Sequence, residues 1–265
     1  MNLNPTPLPF PGRLIKRDEE DRAIVLAVQQ RLNQLGCGPI DEDGEFGGQT
    51  FGAVRLFQSR FTDAEGTPLV VDGEIGVLTW EALFGAASIP NVMGASSPLL
   101  TEVLAFAVTQ IGVLEVPLGS NRGPQVDKYV QSVGLSPAGQ HAWCVAFMYF
   151  CFEQAAKKLG RENPMIKTGG VLAHWNQAGI KGIPRIKVER AVNDPQLVKP
   201  GHIFVIDTGG GFGHSGLVER VEGGKLVTIE GNTNDGGVRE GIGVFRRSSR
   251  KIATINRGFI DYSNA

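Results

Sequence analysis

Helical periodicity dominates this chain as far as Gly160, and strand periodicity takes over after Gly201. That order predicts an α+β protein, with helices packed against an antiparallel sheet. A second observation divides the helical part. A turn-and-helix motif beginning at Asp43-Gly44 returns at Asp72-Gly73, so a small helical module precedes the mixed domain. A third is the glycine distribution: many of the 36 glycines fall in the C-terminal third, where tight turns must join short strands.

The totals describe an ordinary globular protein of 265 residues, 42% hydrophobic and 20% charged, long enough for two modest cores. A net charge of -1 gives no reason to expect nucleic acid or an anionic membrane surface as partner. No apolar run approaches the ~18 residues needed to span a bilayer. Three widely spaced cysteines do not form a disulfide framework, and Cys37 and Cys151 read as reduced, buried residues. Prolines occupy the N-terminus where a secretory signal would have its apolar segment. Synthesis in the cytoplasm is expected, and any action outside the cell would follow release or dedicated export.

Residues 1–21 read as a Pro-rich tail with little fixed structure. From Arg22, apolar residues at Ile24, Val25, Val28, Leu32 and Leu35 predict a helix closed by Gly36. Each copy of the repeat is an Asp-Gly turn, an apolar residue, a second glycine and then a threonine placed as helix N-cap, Thr50 and Thr79. The helices that follow carry Phe51, Val54 and Phe57, then Trp80, Leu83 and Phe84. Asp41 to Gly44 has its glycine too early for a calcium-binding loop, which favours the turn. Residues 22–86 therefore form a three-helix module, and the small, Pro-containing stretch 87–98 reads as a linker.

The mixed domain spans 99–262. It opens with a helix from Pro98 to about Ile111 and a second from Gln125 to Val133. At His141-Ala142-Trp143-Cys144 a polar turn gives way to an apolar helical run that stops at Gly160. A thiol in a first helical turn lies near free backbone N–H groups, which favour thiolate; the bland reading of Cys144 is a buried apolar residue. Strands are expected over 202–206, 215–221, 225–230, 243–246 and 258–260.

A nucleophilic thiol needs a base and a group that holds the base. Of the four histidines, His214 stands at a strand mouth after a glycine loop, beside Ser215 and Gly216. On the following strand, alternation turns Glu230 and Asn232 to the face opposite Val227 and Ile229. Both are placed to accept an imidazole N–H. His202 and His174 read as structural. Gln140 and His141, just before Cys144, are candidates for contacting a substrate carbonyl. His141, Cys144 and His214 lack the spacing of a structural zinc site, so neither metal nor cofactor is expected.

Two resemblances complete the reading. The repeat over about 22–86, with Ala27-Val28-Gln29-Gln30-Arg31-Leu32-Asn33, Ala53 to Gln58 and Val71-Asp72-Gly73-Glu74, resembles the type-1 peptidoglycan-binding module. It implies bacterial peptidoglycan as partner. Residues 99–262 resemble the CHAP family of papain-like cysteine amidohydrolases and peptidases. The carriers are Trp143 to Phe147, Lys199 to Ile203, Gly213 to Val218 and Ile229 to Asn232, although His202 stands where that family usually has Asp. By resemblance Cys144 is the nucleophile, His214 the base, and Glu230 with Asn232 orient the ring; Gln140, His141 and Trp143 are candidate substrate contacts. The joint expectation is a monomeric peptidoglycan hydrolase of the phage-lysin kind, anchored by its module and cutting an amide bond in the peptide part of the wall. An exported bacterial toxin, an NlpC/P60-type endopeptidase and a non-catalytic wall-binding protein remain open.

Overall fold

The structure is a computed structural model that describes residues 8–233 and 241–265. The fold divides into two compact units. One reaches to Asn91 and takes in Val192–Pro195; the other holds Val92–Ala191 and Gln196–Ala265.

The first unit is built on helices α1 (Arg22–Gln34), α2 (Gly48–Arg60) and α3 (Val77–Phe84). Their apolar faces meet in a core that includes Val25, Val28, Leu32, Val54, Phe57, Trp80 and Leu83. Two features depart from the sequence reading. Neither Thr50 nor Thr79 caps a helix, since the caps are Gly47 and Gly76. Both threonines lie inside the first turn, where a buried glutamine from the preceding helix engages them. Gln29 Nε2 donates to Asp43 Oδ1 (2.8 Å), to the Glu45 carbonyl (3.1 Å) and to Thr50 Oγ1 (3.0 Å), while Gln29 Oε1 accepts from Gly44 N–H (2.8 Å). Gln58 repeats this with Asp72, Glu74, Thr79 and Gly73. The repeat is thus a helix-borne amide that satisfies the polar groups of the next Asp-Gly turn.

The second departure is the N-terminal segment. Residues 1–7 lie outside the described residues, but 8–21 are packed rather than loose. Phe10 meets the Trp80 ring edge-on at 5.8 Å, Ile15 is wholly buried, and Ile15 and Ile75 exchange both backbone hydrogen bonds. Burying two large apolar side chains contributes about 3–6 kcal/mol toward holding this segment in place. The stretch read as a linker is also partly fixed. Ser88 and Ile89 are buried in the first unit, and in the second Val92 pairs with Val221.

The second unit has helices α4 (Pro98–Thr109), α5 (Pro124–Ser132), α6 (Cys144–Lys158), α7 (Val171–Ile180) and all but the last two residues of α8 (Val188–Asn193). Its antiparallel sheet is formed by β1 (Arg185–Lys187), β2 (Ile203–Gly209), β3 (Phe212–Glu222), β4 (Lys225–Thr233), β5 (Gly243–Lys251) and β6 (Gly258–Ile260), in the order β1-β6-β2-β3-β4-β5. Strands β2 to β5 run as a meander, and β6 returns to the far side of β2. The sequence pattern did not disclose α7, α8 or β1, which are short and carry little periodicity. Helix α6 is buried along most of its length, packed on α4 and α5 and also on β3 and β4. That burial is why its run Val145 to Phe152 is apolar on nearly every side. No helix among the described residues is long and apolar enough to cross a membrane.

Candidate active site

Cys144 is the first residue of α6, behind a Trp143 N-cap that makes no side-chain capping bond. The first N–H groups of a helix have no intrahelical acceptor, and here no capping side chain takes them up. Trp143 itself is wholly buried. Its Nε1 donates to the buried Glu115 Oε1 at 2.9 Å, and its ring lies 5.6 Å from that of Tyr129. The expectation that Trp143 contacts substrate is corrected here, because an indole with no exposed surface seats the helix start instead.

His214 is on β3 and Glu230 on the adjacent strand β4. The ring's Nε2–H donates to Glu230 Oε2 at 2.7 Å, and the ring lies close enough to Cys144 for the charge of its side chain to act on it. With Nε2 committed to the carboxylate, Nδ1 is the nitrogen left for the sulfur. Burial alone would push the imidazole down, but its interactions with Cys144 and Glu230 raise it to about 9. Burial would likewise raise Glu230; hydrogen bonding and charge from His214, the charge of Arg250 and the Thr228 hydroxyl instead hold it at about 2. The pair is therefore an imidazolium and a carboxylate at neutral pH.

Two glycines make room for this arrangement. A Cβ on Gly216 would lie 2.8 Å from Glu230 Cγ and 2.8 Å from Phe204 Cε1. One on Gly231 would lie 2.7 Å from Phe147 Cβ and 2.8 Å from Trp143 Cζ3. Gly216 thus opens the space for the carboxylate arm, and Gly231 lets β4 lie against the first turn of α6.

Asn232 does not hydrogen-bond the imidazole through Oδ1. Its backbone is left-handed at φ 54°, and the β4–β5 register slips between Glu230 and Thr233, so the strict alternation that would align it with Glu230 is lost. Its Oδ1 is buried without a hydrogen-bond partner among the described residues. Gln140 is exposed and also left-handed (φ 48°), while the His141 ring folds back over Gly139. Neither is bonded to Cys144 or His214.

The other sulfur and imidazole groups have structural surroundings. Cys151 is fully buried, which raises its thiol well above the usual range, and burial also raises Cys37. His174 Nε2 is hydrogen-bonded to the Tyr262 hydroxyl at 2.8 Å, and burial lowers that imidazole to about 4. His202 accepts from Lys199 N–H through Nδ1 (3.2 Å), with Asp261 at 3.4 Å from Nε2. Among the described residues no group of three or more His, Cys, Asp or Glu is placed to hold a metal ion.

Sequence reasoning missed the groups around Glu230. Thr228 donates its hydroxyl to Oε1, and Arg250 on β5 donates through Nε to Oε1 (3.0 Å) and through Nη2 to Oε2 (2.9 Å). Glu115, which holds Trp143, was missed as well.

Residues 136–232 match the CHAP domain family, and residues 21–83 match a peptidoglycan binding domain family. No match was found among curated proteins or solved structures. The first match covers the cysteine helix and the strands of His214 and Glu230, and the second covers the glutamine-clamped repeat. The chain is therefore modular, a peptidoglycan-binding module followed by a papain-like CHAP domain, the combination of a peptidoglycan hydrolase with its own wall anchor.

Proposed function

We propose that this protein is a cysteine-dependent amidase or endopeptidase of bacterial peptidoglycan, with Cys144 as nucleophile, His214 as its acid–base partner and Glu230 as the group that holds the ring. The observation that carries the reading is the imidazole of His214, hydrogen-bonded to a buried carboxylate 2.7 Å away and close enough to Cys144 to feel its charge. The Cys144 thiolate attacks an amide carbonyl in the peptide part of the wall, forming a C–S bond. The Cys144 backbone N–H supports the oxyanion. Breakage of the C–N bond releases an amine, which takes its proton from the His214 imidazolium. The neutral ring then accepts a proton from water, hydroxide adds to the thioester, and loss of the thiolate frees the acid.

The helical module keeps the enzyme on its polymer and raises the local substrate concentration. Anchor and cutter in one chain suit a lytic enzyme of the endolysin kind, acting at the wall as a monomer after release or export. Purified sacculi digested by the wild-type protein and by Cys144→Ala, with the fragments identified by mass spectrometry, test the proposal. The wild type should release fragments with new amide-derived ends, peptide-free muramic acid for an amidase or new peptide amino termini for an endopeptidase. Cys144→Ala should bind sacculi and release none; identical fragments from both proteins would refute the assignment.

A further inference from the structure

The Glu230 carboxylate is wholly buried and receives more than the His214 ring. Arg250 approaches it in a two-point grip, Nε to Oε1 at 3.0 Å and Nη2 to Oε2 at 2.9 Å. The guanidinium lies over the Phe204 ring, 4.8 Å from its centroid, and that ring lies 5.8 Å from the His214 imidazole. Phe204 is thus a fixed surface against which cation and imidazole are both set. Thr228 donates to Oε1, so each carboxylate oxygen has an assigned role and Oε2 is turned to the ring.

We propose that Arg250 is a positioning residue of this site: by gripping both oxygens of Glu230 it fixes the carboxylate that orients His214, and its charge opposes the charge on that ring. The inference rests on the Cys144–His214–Glu230 reading above. A carboxylate bound only by the imidazole could rotate about its last bond or draw the proton toward itself. A carboxylate also held by a guanidinium is restricted to accepting. The cation moreover limits how strongly Glu230 can hold the proton on His214, and so keeps the imidazolium acidic enough to protonate a leaving amine.

Among the described residues the charged and titratable groups around His214 are Cys144 of α6, Glu230 of β4, and Arg250 and Arg247 of β5, the latter 4.0 Å from Glu230 Oε1. Strand β2 presents Phe204, and α7 lays Val171 against Gly213 while its His174 is bonded to Tyr262.

The test compares Arg250→Gln and Arg250→Lys with the wild type in full-length protein, measuring kcat, KM and the pH–rate profile on dye-labelled sacculi. Circular dichroism and thermal melting report folding. Loss of the cation in Arg250→Gln should lower kcat about tenfold at unchanged KM and move the basic limb up by about one pH unit. Arg250→Lys keeps the charge but not the fork, so its limb should stay in place while kcat falls about fivefold. A folded Arg250→Gln whose basic limb does not move overturns the proposal. So does an Arg250→Lys protein as fast as the wild type, and that arm stands alone if Arg250→Gln does not fold. Cys144→Ala is run alongside: if it still lyses sacculi, the underlying site assignment fails. If it is inactive while both Arg250 variants behave as wild type, only the role of Arg250 fails.

Discussion

Replacing Gly231 by alanine should disable the enzyme without touching any reacting group. The added Cβ would stand 2.7 Å from Phe147 Cβ, 2.8 Å from Phe147 Cγ and 2.8 Å from Trp143 Cζ3. Carbon atoms rest at about 3.5–4.0 Å, so about 1 Å of separation must be found. Neither neighbour yields easily. Phe147 and Trp143 are both wholly buried, and Glu115 holds the indole. The strand must therefore move away from the first turn of α6, which carries Cys144, and Glu230 moves with the strand. Overpacking of this kind costs about 1–3 kcal/mol in stability. A misplacement of about 1 Å between nucleophile and base costs about 100-fold in rate. Thermal melting gives the first quantity and dye release from labelled sacculi the second. A folded Gly231→Ala protein with the wild-type rate would refute the claim that this glycine sets the distance between sheet and cysteine helix.

Four further outcomes can be checked. Glu230→Gln removes the charge that raises His214, so burial should dominate, the basic limb of the pH–rate profile should move down, and lysis should fall at least ~100-fold; an unmoved limb would contradict the pairing. His174, held at about 4 by burial, binds its proton more readily when unfolded, so it costs stability as pH falls from 6.5. Chemical denaturation at pH 7 and pH 4.5 should show a pH-dependent loss smaller by about 2–3 kcal/mol in His174→Phe than in the wild type. Gln58→Ala strips the Asp72-Gly73 turn of its buried partners and should destabilise the first unit by about 2–4 kcal/mol in thermal melting, leaving the rate on soluble wall fragments intact. Gly52, exposed in α2 with no atom within 4 Å of where a Cβ would stand, should by contrast accept alanine with a gain of about 0.5–1 kcal/mol; a loss there would contradict the helix assignment.

The proposed site residues Cys144, His214 and Glu230 are legible in the sequence because each sits at a place that local rules identify. These are a helix start after a polar turn, a strand mouth after a glycine loop, and a strand position opposite core-facing Val227 and Ile229. The same rule fails at Asn232, since a left-handed residue at a register slip breaks alternation where the sequence pattern still suggests it. It fails at Trp143 because nothing in the sequence says whether an indole beside a cysteine faces solvent or core. Arg250 is hidden in the run Arg246-Arg247-Ser248-Ser249-Arg250-Lys251, which reads as a solvated strand face. Its role depends on the pairing of β5 with β4, a register the sequence does not carry. The glutamine clamp is within reach of the sequence: Gln29 and Gln58 share the spacing that relates Asp43 to Asp72, but they precede the Asp-Gly turns from which the repeat is recognised. The packing of residues 8–21 is concealed by prolines, which suit a strap laid along a surface as well as a tail.

The most direct test of the account is an active-site titration with iodoacetamide, followed by peptide mapping and lysis assays on the same samples. Lytic activity should fall in proportion to the fraction of Cys144 carrying the label, with Cys37 and Cys151 unmodified and binding to sacculi unchanged. Full lytic activity in protein whose Cys144 is completely alkylated would contradict it.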